Sequence, residues 1–196
     1  GDAGLRKRPR DLDRPPWLKG RYGTAVGRAV HGVLQTVDLS LPAEHPTVTS
    51  AVAAQAAAEA IDERADLVQE LAAAALGAPC VRAVATGPHW REVYASAPVG
   101  DRLLEGYVDL LHRSPEGLVV VDYKTAATSD PTELDRRVEG YRTQGASYAL
   151  TVARSTGEPV ARVVFCFLTP DGVVERDLVD LAAAVAEVED EVRTGR

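Results

Sequence analysis

A lysine and two aspartates follow apolar stretches near the middle of the chain, and their types and spacing could do chemistry. Lys124 is one of three lysines in a chain that otherwise takes its positive charge from arginine, which suggests that a compact ammonium is needed there. Asp122 stands two residues before it, and Asp109 follows Gly106-Tyr107-Val108, at the expected end of the preceding strand. Alternation along a strand places Asp122 and Lys124 on one face. Two carboxylates converging from neighbouring strands predict a Mg²⁺ or Mn²⁺ site, because hard oxygen ligands suit these ions better than Zn²⁺.

Such an ion polarises a phosphoryl oxygen and lowers the pKa of a bound water, so the predicted chemistry is phosphodiester hydrolysis. Lys124 would orient the water and balance charge on the phosphate in the transition state. The alternative is a surface Asp-x-Lys ion pair worth about 0–1 kcal/mol, and the spacing alone leaves both interpretations open.

Residues elsewhere in the chain could complete the site. His31 lies off the apolar stripe of the first predicted helix, and imidazole is a frequent metal ligand. Glu92 could hold a water or orient Lys124. On a later helix Tyr141, Gln144 and Tyr148 lie along one flank, with Arg137 one turn earlier. The two tyrosines are expected to pack in the core, whereas Gln144 could contact a phosphate or hold the loop after Lys124. The alternatives are an exposed histidine for His31 and a solvent-facing strand residue for Glu92.

The elements that must position these residues are visible in the periodicity. The fold class predicted is α/β or α+β, a central mixed β-sheet flanked by helices with a helical N-terminal part. An i, i+3, i+4 stripe predicts a helix over residues 21–38, and alanine-rich residues 47–76 predict one broken helix or two. Strands are predicted over 90–99, 103–112 and 118–125, a helix from Asp130-Pro131 to 154, a hairpin of 160–168 and 173–178, and a closing helix over 181–192.

Composition bounds the function further. The chain has 196 residues and a net charge of −7, but residues 1–28 carry a local charge of +5. This basic segment could contact phosphates or form a solvated linker, and residues 1–16 are expected to be a linker ahead of a domain over 17–196. No apolar stretch is long enough to cross a membrane and no signal peptide is recognised, so a cytoplasmic protein is expected. Cys80 and Cys166 make neither a disulfide framework nor a four-thiolate site and are expected to be reduced.

Five short segments of the chain together resemble a known family. They are Gly27-Arg28-Ala29-Val30-His31, Arg91-Glu92, Gly106-Tyr107-Val108-Asp109-Leu110, Val121-Asp122-Tyr123-Lys124-Thr125 and Tyr141-Arg142-Thr143-Gln144 through Tyr148. They are similar to the RecB-like nuclease domain of the PD-(D/E)XK superfamily. That domain forms the C-terminal part of bacterial helicase–nucleases such as RecBCD, AddAB and AdnAB.

The resemblance implies a Mg²⁺- or Mn²⁺-dependent DNase with a restriction-endonuclease-like sheet, acting in DNA repair and recombination. It implies His31, Asp109, Asp122 and the Tyr123 backbone carbonyl as metal ligands and Lys124 as the catalytic lysine. Glu92 joins the catalytic set. The supporting or DNA-binding residues are Gln144, Tyr148, Arg137 and Arg28.

The chain departs from the family in two respects. Many relatives carry a four-cysteine iron–sulfur cluster, which Cys80 and Cys166 alone cannot hold, so none is expected. No Gly-x-x-x-x-Gly-Lys loop occurs, so the chain is expected to be either a domain excised from a helicase–nuclease, with the ATPase motor on a separate domain or subunit, or a stand-alone nuclease. The expected partners are DNA, single-stranded rather than duplex, and a helicase motor, with no membrane. A catalytically inactive scaffold or DNA-gripping module is the alternative function.

Overall fold

A five-stranded sheet forms the centre of the protein, whose computed structural model describes residues 24–85 and 87–194. The strands are β1 (His89–Val99), β2 (Arg102–Ser114), β3 (Gly117–Thr125), β4 (Val160–Thr169) and β5 (Gly172–Asp177), and this is also their order in the sheet. Neighbouring strands are antiparallel except β3 and β4, which are parallel. A parallel pair needs a long crossover, and helix α5 (Pro131–Thr156) supplies it. The predicted mixed sheet flanked by helices is confirmed.

Helices cover both faces of the central strands. One face carries the N-terminal helices α1 (Ala25–Thr36), α2 (Pro46–Ala58), α3 (Ala65–Gly77) and the short α4 (Pro79–Arg82), and the other carries α5 and α6 (Leu181–Thr194). Alternate residues of β3 enter the two cores: Val121 and Tyr123 face the N-terminal helices, whereas Val120 faces α5. Burial on both faces explains why β3 and β4 read as continuous apolar runs.

Local signals fix the helices that matter for the site. The Thr24 side chain accepts a hydrogen bond from the Gly27 N–H at 3.0 Å and caps α1. Asp130 caps α5 in the same way, through the Glu133 N–H, and α5 ends at Thr156, after which Gly157 takes a left-handed φ of 73°. Gly145 lets α5 lie close to the sheet, because a Cβ there would come within 2.9 Å of Phe165.

Several boundaries differ from the predicted ones. Helix α1 is described from Ala25, and residues 21–23 and the predicted linker 1–16 lie outside the described residues. The alanine-rich region forms two helices, one of the two predicted alternatives, joined by a 3-10 turn at Asp62–Arg64. Pro79 begins α4 rather than only ending a helix. Strand β2 continues to Ser114, so Asp109 lies within that strand and not at its end. Among the described residues no helix is both long and apolar enough to cross a membrane.

Candidate active site

Strands β2 and β3 separate at the two aspartates. The strands pair from Ser114 and Gly117 only as far as Leu110 and Val121, and Asp109 and Asp122 are the next residue on each strand. From there β2 continues beside β1 and β3 continues beside β4. We call this point the fork. The backbone N–H of Tyr123 donates to Oδ2 of Asp109 at 2.7 Å, which holds the two strands together across the opening.

Strand β1 delivers Glu92 to the same place through an irregular backbone. Arg91 pairs with Leu110 and Val93 with Val108, whereas Glu92 between them has a φ of 50°. A left-handed conformation is uncommon for a residue other than glycine, and such strain concentrates at functional sites. Ligand atoms of Glu92, Asp109 and His31 all lie within 4.8 Å of one another.

Helix α1 places His31 over the fork. Its Nδ1 lies 3.3 Å from Oδ1 of Asp109, and its Nε2 lies 3.1 Å from the carbonyl oxygen of Tyr123. Gly27, one turn earlier, allows the approach, because a Cβ there would stand 3.2 Å from the Thr125 hydroxyl. The Arg91 guanidinium donates to carbonyls at the C-terminal end of α1, Leu34 at 3.1 Å and Val37, and so ties the helix to β1.

The charges at the fork are crowded. Burial of the carboxyl and the neighbouring Asp109 raise the pKa of Asp122 to about 7. Burial and Asp109 also raise the pKa of Glu92. Burial opposes ionisation of Asp109 as well, but His31 and the Tyr123 N–H outweigh it and hold its pKa below the usual value. Burial lowers the pKa of His31, and the attraction to Asp109 more than reverses this, raising it to about 9.

These groups fit a hard divalent cation. Carboxylate and carbonyl oxygens with one imidazole nitrogen are the donors that Mg²⁺ and Mn²⁺ accept. The Asp122 side chain is buried. The Lys124 ammonium lies 2.6 Å from its Oδ2, but no described donor meets this oxygen in hydrogen-bond geometry. The mutual repulsion of three acids is the electrostatic condition that a bound cation relieves.

Helix α5 holds Lys124 from the opposite side. The Lys124 ammonium donates to Oε1 of Gln144 at 3.1 Å and lies 4.6 Å from the centre of the Tyr141 ring, a cation–π contact. Gln144 in turn donates from Nε2 to the Tyr148 hydroxyl at 2.8 Å. Tyr148 packs against Gly106 of β2, where a Cβ would come within 2.9 Å of the ring. This chain of contacts fixes the ammonium beside Asp122.

The structure brings together most of the residues singled out from the sequence, with two exceptions. Arg28 pairs with Glu59 at 2.7 Å, and Arg137 lies 3.4 Å from Glu133, so these arginines contact carboxylates of the helical layers. Their assignment to DNA stays a prediction. Tyr141 is predicted from the sequence to pack in the core and is not among the predicted site residues. Its ring does lie near Phe165, but it also faces the ammonium, and its position three residues before Gln144 was the available signal.

The fork therefore brings the acids of three strands and a lysine together at one place on a mixed sheet. The sequence model of the PD-(D/E)XK nuclease superfamily matches residues 5–195, and the chain belongs to that superfamily. Members generally use divalent metal ions. Comparison with curated proteins gave no significant match. A solved structure titled "Crystal structure of SSO0001" is 16% identical over 87% of this chain and 84% of that chain, with a TM-score of 0.39.

Proposed function

We propose that this protein is a Mg²⁺- or Mn²⁺-dependent deoxyribonuclease whose centre is the fork between β2 and β3. The observation that carries the proposal is the convergence of Asp109 and Asp122 from two diverging strands, with the Lys124 ammonium 2.6 Å from one of them. Superfamily membership supports the reaction class, and the oxygen-rich donor set supports the choice of metal.

His31, Asp109, Asp122 and the Tyr123 carbonyl would hold the cation, with Glu92 within reach of the same position. When bound, the cation polarises a phosphoryl oxygen and lowers the pKa of water. Lys124 orients the attacking water and balances the charge that builds on the phosphate.

Gln144 and Tyr141 support this role, because they restrict a long flexible side chain to one position. Pre-organisation of this kind lowers the barrier without a cost at the moment of reaction.

Two exposed tyrosines favour single-stranded DNA as the substrate. Tyr94 and Tyr107 are 49% and 53% exposed, their ring centroids lie 5.3 Å apart, and each stands two residues from an acid of the site. Exposed rings stack on unpaired bases, which duplex DNA does not offer. The net charge of −7 also disfavours tight binding of a duplex by this chain alone.

That charge balance is the reason to propose a partner. A helicase motor that feeds one strand to the fork would remove the need for strong intrinsic binding. We therefore assign the chain to the RecB-like group, as the nuclease domain, over residues 17–196, of a bacterial repair and recombination helicase–nuclease. Its place of action in this proposal is DNA in the cytoplasm.

The test is cleavage of an end-labelled single strand, and of the matching duplex, with Mg²⁺, with Mn²⁺ and with EDTA. We expect metal-dependent cutting of the single strand and a loss of about 10²–10³ in rate for Lys124→Gln. Asp177→Asn is the control variant, because Asp177 is an exposed acid of β5 that pairs with Arg162. This variant should cut DNA at the wild-type rate. Cutting in EDTA, or unchanged cutting by Lys124→Gln, refutes the assignment. A protein that binds DNA without cutting it is a DNA-gripping module instead.

A further inference from the structure

Two cysteines and a glutamate meet on the sheet face opposite Asp122 and Lys124. Cys80 lies in helix α4, Cys166 in β4 and Glu175 in β5, and their ligand atoms all lie within 4.8 Å of one another. The backbone N–H of Cys80 donates to Oε1 of Glu175 at 2.7 Å. We call these three residues the thiol cluster.

The sheet register explains the meeting. Tyr123 of β3 pairs with Cys166 of β4, and Cys166 pairs with Glu175 of β5. Side chains at paired positions project to the same face of the sheet, so Tyr123, Cys166 and Glu175 form a row beneath the N-terminal helices. Helix α4 then brings Cys80 onto this row.

The Tyr123 hydroxyl is a second, independent sign of a ligand at this place. The side chain is 4% exposed, and its hydroxyl is buried with no hydrogen-bond partner among the described residues. Burial of this phenol, and after it the neighbouring Cys166, Asp109 and Cys80, raise its pKa, and Tyr123 pairs with Cys166 on the adjacent strand. A buried hydroxyl without a partner costs free energy that a bound ion or its water would restore.

We propose that Cys80, Cys166 and Glu175 bind a thiophilic divalent cation, Zn²⁺ by its chemistry, with the Tyr123 hydroxyl or a water in the fourth position. Two sulfur ligands and a carboxylate match the tetrahedral preference of Zn²⁺ and do not suit Mg²⁺. The carboxylate oxygen that accepts the Cys80 N–H keeps further lone pairs for a metal. Binding converts both thiols to thiolates and releases their two protons to water.

The position of the thiol cluster indicates a structural ion. Cys166 is 0% exposed, whereas Cys80 and Glu175 are partly exposed, so an ion can enter from the surface and reach a buried sulfur. The bound ion would join α4 to the edge strand β5. The site shares only Tyr123 with the fork, through its backbone there and its side chain here.

Co²⁺ is the probe for this site, because cobalt bound by thiolate gives a sulfur-to-metal charge-transfer absorption. The reduced, metal-stripped protein is first given excess Mg²⁺ to occupy oxygen ligands, and Co²⁺ is then titrated. We expect one equivalent to produce the absorption and Zn²⁺ to abolish it by displacement. At a hundredfold excess over Kd, Zn²⁺ should raise Tm by about 5–10 °C.

Variants locate the ligands. Cys80→Ser changes a partly exposed residue and should remove most of the absorption and the Zn²⁺-dependent rise in Tm. Glu175→Gln should keep the absorption but weaken binding by about 10-fold or more. Asp122→Asn, at the fork, should leave the absorption unchanged, so the result stands apart from the nuclease proposal.

The proposal is overturned if wild-type protein with two free thiols gives no charge-transfer absorption. It is equally overturned if Cys80→Ser, folded by its thermal transition, keeps the full absorption. A disulfide between Cys80 and Cys166 in the protein as isolated would also overturn it.

Discussion

Replacing Asp122 by asparagine should make the metal-free protein more stable while removing its activity. The pKa of this buried carboxyl is raised from 3.8 to about 7, which includes the favourable effect of Lys124. Ionising it in the folded state therefore costs on the order of 4 kcal/mol, at 1.4 kcal/mol per unit of pKa. Asparagine is neutral and has the shape of the protonated acid, and its amide can still donate to Asp109. We expect it to recover roughly 2–4 kcal/mol at pH 8, or a rise in Tm of about 5–15 °C.

The pH dependence follows from the direction of the shift. Because the pKa of Asp122 is raised in the folded state, the free-energy penalty of ionising it is absent below pH 3.8. The penalty grows between pH 3.8 and pH 7 and is complete above pH 7. The advantage of Asp122→Asn should therefore be complete at pH 8 and less than half as large at pH 5. Thermal unfolding in EDTA at the two pH values measures it.

Asp109→Asn is the matched comparison and should have the opposite sign. The pKa of Asp109 is lowered by His31 and by the Tyr123 N–H despite its burial, so the ionised carboxylate stabilises the fold. Its replacement should lower Tm at pH 8, and both variants should lose cation binding by calorimetry and cleavage of DNA. If Asp122→Asn is less stable than wild type at pH 8, or if it still cuts, the electrostatic account of the fork is wrong.

Three further predictions concern packing and protonation. Gly145→Ala should destabilise the protein by about 1–2 kcal/mol in urea unfolding, because its Cβ would meet the buried Phe165 ring at 2.9 Å. Gly140→Ala should instead stabilise α5 by about 0.5–1 kcal/mol, because nothing lies within 4 Å of its Cβ. Equal effects of the two substitutions would contradict this packing. Gly106→Ala should displace Tyr148 and slow cleavage by about 10-fold with little change in Km for DNA, and an unchanged rate would show that the contact is dispensable. In EDTA the Tm should fall as pH rises through 9, since the raised pKa of His31 gives stability that is complete below 6.5, and His31→Asn should lack this fall.

Sequence periodicity was sufficient for the fold and for the facing of residues along β3. The alternation of Val121 and Tyr123 against Asp122 is a local property of an extended chain, and it can be read without knowing the partner strands. Helix α5 was equally visible, because its Asp130 cap and Pro131 are adjacent to the stripe they begin.

The fork could not be predicted in the same way. It depends on where pairing between β2 and β3 stops and on the left-handed backbone of Glu92, and neither has a signal in residue type. The thiol cluster depends on the parallel register that sets Tyr123 beside Cys166, two residues separated by the whole of α5. Two cysteines far apart in sequence gave no reason to expect their meeting.

The fork also determines which part of the protein should open first when the metal-free protein is heated. Pairing at the end of a strand ladder opens more readily than pairing in its middle, and Leu110 and Val121 form that end. Local opening there separates the carboxylates while the two cores stay packed. On gentle heating the metal-free protein should therefore lose its binding geometry before it loses its secondary structure, with amide hydrogens around Tyr123 exchanging ahead of those in the interior of β3.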